Sequence, residues 1–104
     1  MENIFWKGFS DDERHAAIHK IQSVVTKYGD IIDFHFFSDL SLSMTIEIEE
    51  DKIDKLYGDL NGIIGLQGHG ELHSIVKKER TIYLNITFAR GSGRHEIEVP
   101  SVPG

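Results

Sequence analysis

The stretch DIIDFHFFSDLSLSMTIEIEE, residues 30–50, carries the plainest structural pattern in the chain. From Leu42 onward apolar side chains fall on alternate positions, Leu42, Met44, Ile46 and Ile48, with Ser43, Thr45 and Glu47 between them. That is the period of a strand with one buried and one polar face. The preceding run, Ile31 to Phe37, is β-branched and aromatic. Simple alternation sets Ile32, Phe34 and Phe36 on one side and Ile31, Asp33, His35 and Phe37 on the other. Ser38-Asp39-Leu40 supplies the bend, because Ser and Asp side chains bond their own backbone. The stretch predicts a β-hairpin.

Upstream, Ile4 to Phe9 reads as a strand, with Phe5, Lys7 and Phe9 on one face and Ile4 and Trp6 on the other. Ser10-Asp11-Asp12-Glu13 has the form of a capping box, Ser10 at the N-cap and Glu13 reaching back. Ala17, Ile21, Val24, Val25 and Tyr28 then recur at helical spacing, and Gly29 follows as a left-handed stop. Downstream, Asp51 is placed to cap a second helix carrying Ile53, Leu56, Tyr57 and Leu60 in phase. Gly58 inside it costs up to about 1 kcal/mol relative to Ala. Gly62 to Gly70 holds four glycines in nine residues and predicts a connection. Leu72 to Lys77 is a further strand candidate. Thr81 to Ala89 alternates strictly, and His95, Ile97 and Val99 alternate once more before the chain ends in PSVPG.

Strand, helix, strand, strand, helix, strand is the order of a ferredoxin-like βαββαβ fold of the α+β class, a two-layer sandwich with an extra C-terminal strand or hairpin. All 104 residues belong to one domain, with residues from about 80 as a C-terminal extension. The core is expected to join Ile21, Val24, Leu56 and Leu60 to Phe34, Met44 and Ile46. Both helices would cover one face of the sheet. The other face would carry Ile31, His35, Phe37, Tyr83 and either Trp6 or its neighbours, too apolar for a surface left in water. These residues are the expected interface for a second copy or a protein partner.

Composition excludes several chemistries. A net charge of −6, with eleven scattered Lys and Arg, argues against nucleic acid and against an anionic membrane surface. No cysteine means no disulfide framework and no thiolate ligand or nucleophile. The N-terminus lacks the pattern of a secretion signal, and no apolar run approaches the roughly 20 residues of a membrane span. A cytoplasmic protein is expected. His15 and His19 stand four apart, as do His69 and His73, but no third ligand is in view, so neither a metal nor another cofactor is expected. Asp11, Asp12 and Glu13 suit a helix N-terminus for dipole reasons alone. No G-x-S-x-G elbow and no set of nucleophile, base and orienter can be assembled, which predicts a protein that is not an enzyme.

The segment YGDIIDFHFFSDLSLSMTIEIEED resembles the ACT domain at the N-terminus of bacterial phosphoserine phosphatases. Ile31, Ile32 and Asp33 stand where that family has an ILDI-like strand, and Leu40, Ser41, Leu42 and Ser43 match a TLSL-type opening of the third strand. GIIGLQ stands at the family's ELG-like turn. The resemblance covers roughly residues 4 to 67. It implies a regulatory, dimerising module and a small ligand, such as an amino acid, bound between the first loop and the second strand. Carried over to this sequence, that site comprises Gly8, Ser10, Asp11, Asp12, Ile31 and Asp33. The loop departs from the family's G-x-D-x-P-G pattern, having no Pro and no second Gly. Asp11 and Asp12 at a helix end repel a ligand carboxylate. No D-x-D-x-T phosphatase motif is present. Two functions are carried forward: the ACT-type regulator, and a plain protein-interaction domain that docks a partner through its open sheet face without a ligand.

Overall fold

The computed structural model describes residues 3–90. Five strands and two helices follow one another as β1 (Ile4–Glu13), α1 (Arg14–Val25), β2 (Gly29–Ser38), β3 (Ser41–Glu49), α2 (Ile53–Asn61), β4 (Gly65–Gln67) and β5 (Glu79–Arg90). A single 3-10 turn, Glu50–Lys52, joins β3 to α2. The alternation expected of residues 30–50 is realised as the β2–β3 hairpin, closed by the Asp39–Leu40 turn, with the Ser38 hydroxyl accepting from the Leu40 amide at 3.1 Å.

One mixed sheet forms in the order β2-β3-β5-β1-β4. A βαββαβ sandwich sets its first and third strands side by side. Here the outer pairs of that arrangement are present, β2 antiparallel to β3 and β1 antiparallel to β4. Between them β5 is inserted, parallel to β1 and antiparallel to β3. The strand order therefore differs from the ferredoxin-like one, and residues 79–90 are the middle of the sheet, not an extension. The physical reason lies in β5 itself. Ile82, Leu84, Ile86 and Phe88 give an unbroken apolar stripe as long as that of β3, and all four are buried. A central position pairs both backbone edges and buries that stripe beneath both helices.

The structure also moves several boundaries. β1 runs on to Glu13, and Glu13 itself is the N-cap of α1, accepting from the His15 and Ala16 amides at 3.0 and 3.3 Å. These bonds hold its carboxyl below the usual carboxylate range, the His15 amide having the largest effect. Ser10 is not the cap; it is buried, and its hydroxyl accepts from the Asp12 amide at 3.1 Å. Gly29 is not a helix stop but the first residue of β2, where an added Cβ would lie 2.4 Å from the Glu47 carbonyl oxygen. Asp51 does not cap α2, whose N-cap is Lys52 without a side-chain bond. The strand expected at Leu72 to Lys77 is irregular, and β4 forms instead from Gly65-Leu66-Gln67, inside the expected connection. The strand expected at 95–99 lies outside the described residues.

The core is one cluster between helices and sheet. Ala17, Ile18, Ile21 and Val25 come from α1; Ile53, Leu56 and Leu60 come from α2. They meet Trp6 of β1 and the inward residues of β3 and β5. Of the expected core, Ile21, Met44, Ile46, Leu56 and Leu60 are buried, with Val24 and Phe34 packed against them. Gly58 is on the solvent side of α2, with nothing within 4 Å of an added Cβ. Gly58→Ala is therefore expected to raise stability by about 0.5–1 kcal/mol, through the lower entropy cost of fixing Ala in a helix. A denaturation midpoint no higher than the parent's would contradict this placement.

Candidate functional site

β1 ends in a bulge, and the backbone there turns Asp11 and Asp12 toward the end of α2. Phe9 to Asp12 and Asn61 to Gly65 line a cleft between the two. Three of the residues expected to hold a ligand, Ser10, Asp11 and Asp12, line it together. Ile31 and Asp33 do not join them. They stand on β2, with β3 and β5 intervening before β1. Gly8 has a packing role: an added Cβ would lie 2.9 Å from Ile64 Cδ1, so its lack of a side chain admits the α2–β4 turn. The cleft's charge is one-sided. Asp12 is shared with Lys20 at 3.0 Å, Asp11 adds a second carboxylate, and the C-terminal end of α2 contributes the negative pole of its dipole. Such a cleft attracts an ammonium group and repels a carboxylate.

At the far end of the sheet, residues 68–78 form a strap from β4 to the start of β5. Gly68 opens it with φ +108°, and an added Cβ would fall 2.7 Å from the Phe5 carbonyl oxygen, so glycine is required there. Three acids at the β3–α2 junction fasten the strap. Glu50 accepts from the Ser74 hydroxyl at 2.7 Å and pairs with Arg80 at 2.9 Å. Asp51 pairs with Lys77 at 2.9 Å. Asp54 accepts from the Leu72 and His73 amides at 3.0 and 2.8 Å, and its Oδ1 lies 2.8 Å from His69 Nε2. The His69 ring is wedged beside Trp6 and Tyr57, with only 4% of its side chain exposed. Although His69 and Asp54 form a dyad, the neighbouring Tyr57 hydroxyl is committed to the Leu66 carbonyl at 3.0 Å. The arrangement fastens a loop and offers no nucleophile.

All three carboxyls are held below their ordinary range. The Ser74 hydroxyl is the largest cause at Glu50, the Lys77 ammonium at Asp51 and the Leu72 amide at Asp54. For groups whose pKa is lower in the folded state, the stabilisation is complete above the unfolded-state pKa and is lost as pH falls through the folded value. Stability is thus expected to be flat from neutrality down to about pH 5 and to fall below about pH 4.5. Urea midpoints measured from pH 7 to pH 3 check this, and a midpoint unchanged at pH 3 would contradict the clamp.

The third surface is the face of the sheet away from the helices. Pairing registers align its side chains in rows: Asp33, Thr45, Tyr83 and Phe5 lie level across four strands. His35, Ser43, Asn85 and Lys7 form the next row. Ser41, Thr87 and Phe9 follow. Phe5 stacks on Tyr83 with ring centroids 5.2 Å apart, and His35 meets Phe37 edge-on at 5.0 Å. Phe5, Phe9 and Phe37 are 64%, 49% and 66% exposed, and among the described residues nothing covers them. No family model, curated protein or solved structure matches the chain. The functional reading rests on this geometry.

Of the residues expected at the interface, His35, Phe37 and Tyr83 are on the open face. Trp6 is not, being fully buried under the strap and α2; its neighbours Phe5 and Phe9 take its place. Ile31 is not either. A bulge between Ile31 and Asp33 pairs Ile31 with Ile46 on the helix side and leaves Ile32 half exposed. Strict alternation along β2 could not reveal a bulge, because both faces of the run from Ile31 to Phe37 carry apolar side chains. The clamp of Glu50, Asp51 and Asp54 was missed for a different reason: apart from Arg80 on β5, its partners lie 15 to 26 residues further on, in a segment without periodicity. Among the described residues no helix is long and apolar enough to cross a membrane.

Proposed function

We propose that the chain is a non-enzymatic interaction module of ACT-like regulatory type whose working surface is the open face of the sheet. One observation carries the reading: Phe5, stacked on Tyr83, and Phe9 and Phe37 stand exposed on a broad face that neither helix covers. Exposed aromatics cost free energy in water, and several on one face mark a surface that docks a partner. The β1–β4 and β2–β3 pairs, with both helices on one side, support an ACT-like ancestry in which β5 has been added at the centre. The module dimerises, and light scattering is expected to show association in the high micromolar range. A strict monomer there would remove the dimer and leave a heteromeric partner as the occupant of the face.

A second reading has the cleft in its favour, where Asp11 and Asp12 meet the end of α2. Its charge fits the ammonium of a small ligand and disfavours the carboxylate of a free amino acid. A thermal-shift series separates the two readings, because a ligand at a hundred times its dissociation constant adds about 2.7 kcal/mol. The interaction-module reading expects no shift with amino acids. A saturable shift that Asp11→Asn abolishes would establish the ligand reading in its place.

A further inference from the structure

The strap, residues 68–78, adds little to the core. Its apolar side chains face water, Leu72 at 38%, Val76 at 50% and Ile75 at 89% exposure. The His69 ring turns inward, edge-on to Trp6 and tilted over Tyr57 at 4.5 Å. What holds the strap is polar. The Glu50 amide donates to the Lys78 carbonyl at 2.8 Å, and the Asp51 amide to the Val76 carbonyl at 3.0 Å. Ties from the His69, Ser74 and Lys77 side chains and from the Leu72 and His73 amides converge on Glu50, Asp51 and Asp54. Gly68 and Gly70 flank His69, and backbone without a Cβ absorbs the turn of a hinge readily. Beneath the strap Trp6 is fully buried, yet its Nε1 has no acceptor among the described residues. A buried N–H without an acceptor disfavours the state that buries it.

We infer that the strap is a lid that swings off Trp6 and Tyr57 as one piece while the sheet and both helices stay folded, and that acid releases it. The lid is separate from the open-face reading, because Trp6 and Tyr57 lie on the helix side of the sheet. A segment that buries little apolar area opens at the low end of a fold's stability range. Its ties share one junction, so when one breaks the others hold it close and it re-forms. Opening therefore needs the loss of the set. Against Glu50 stand the Ser74 hydroxyl, Arg80 of β5 and Lys78. Against Asp51 stand Lys77 and Lys52, with Glu49 of β3 also near Lys77. Against Asp54 stand His69 and the Leu72 and His73 amides, and behind His69 lie Tyr57 of α2 and Trp6 of β1. Glu71 pairs with His73 within the strap at 3.1 Å. As pH falls His69 gains a proton, and its pairing with Asp54 persists while that carboxyl is ionised. Each tie is strongest with its carboxyl ionised, so the lid is closed at neutrality and released below about pH 4.5.

Native-state hydrogen exchange in the full chain tests the lid. The Glu50, Asp51, Leu72 and His73 amides report on it, and the Met44 and Leu84 amides report on the sheet. The lid amides are expected to be at least about tenfold less protected than the sheet pair at neutral pH. His69→Ala is expected to lower the protection of the Glu50 and Asp51 amides about tenfold, and Ser74→Ala that of the Leu72 and His73 amides, with Met44 and Leu84 unchanged. Ser74→Ala opens no cavity at Trp6, so it decides the point even where His69→Ala also loosens the sheet. Equal protection of lid and sheet amides would overturn the lid, and so would variants whose effect stops at the bonds they remove. Trp6 is the chain's one tryptophan, so its emission reports the release. On acidification the emission is expected to move to the red at a higher pH than the one at which far-UV circular dichroism is lost. A coincident change in both would overturn release by acid.

Discussion

Trp6→Ala is expected to cost about 3–5 kcal/mol, among the largest losses of any single truncation in the described residues. The indole is fully buried at the junction of three elements, edge-on to Tyr57 at 5.2 Å and to His69 at 5.3 Å. Removing it opens a cavity that β1, α2 and the strap cannot all close, because the strap is tied to Glu50, Asp51 and Asp54. Phe5, the next residue in the chain, provides the contrast. It faces the open side and touches Tyr83, so Phe5→Ala is expected to cost about 1 kcal/mol or less. Denaturant midpoints for the two variants measure the difference directly. Equal losses would mean that β1 does not present its faces as described.

The second large effect is expected at Leu84. As the centre of β5 it is level with Trp6 on one side and Met44 on the other, and it is fully buried. Leu84→Ala is expected to cost about 2–5 kcal/mol. Had residues from 80 onward formed a peripheral extension, the same change would have fallen near the ±0.5 kcal/mol typical of surface sites. A midpoint indistinguishable from the parent's would place β5 at the margin of the fold.

The local elements were legible in the sequence to different degrees. Leu42 to Ile48 and Ile82 to Phe88 each alternate without a break, and both strands are where the pattern sets them. Ala17 and Ile21, and Leu56 and Leu60, keep helical spacing and are buried as that spacing requires. Sheet order was not legible, because alternation reports which face of a strand is buried and not which strand lies beside it. The irregular strap hid the answer further. Leu72, Ile75 and Val76 look like strand residues, yet Ile75 is 89% exposed and the segment is held by side-chain bonds to acids. The open face was read correctly at His35 and Tyr83, where the strands alternate, and at Phe37, which lies in a second bulge of β2 yet meets the His35 ring. It was misread at Ile31, where a bulge intervenes, and at Trp6, which faces the helices on β1.

The account turns on β5 lying between β1 and β3, since that insertion widens the sheet and creates the face assigned to docking. Backbone proton contacts by NMR test it most directly. Strands about 4.8 Å apart give strong contacts only between immediate neighbours. The order described here predicts contacts from Leu84 to Trp6 on one side and from Leu84 to Met44 on the other, with none between the backbones of Trp6 and Met44. Direct contacts between β1 and β3, with β5 absent from both, would restore the ferredoxin-like order and contradict the account.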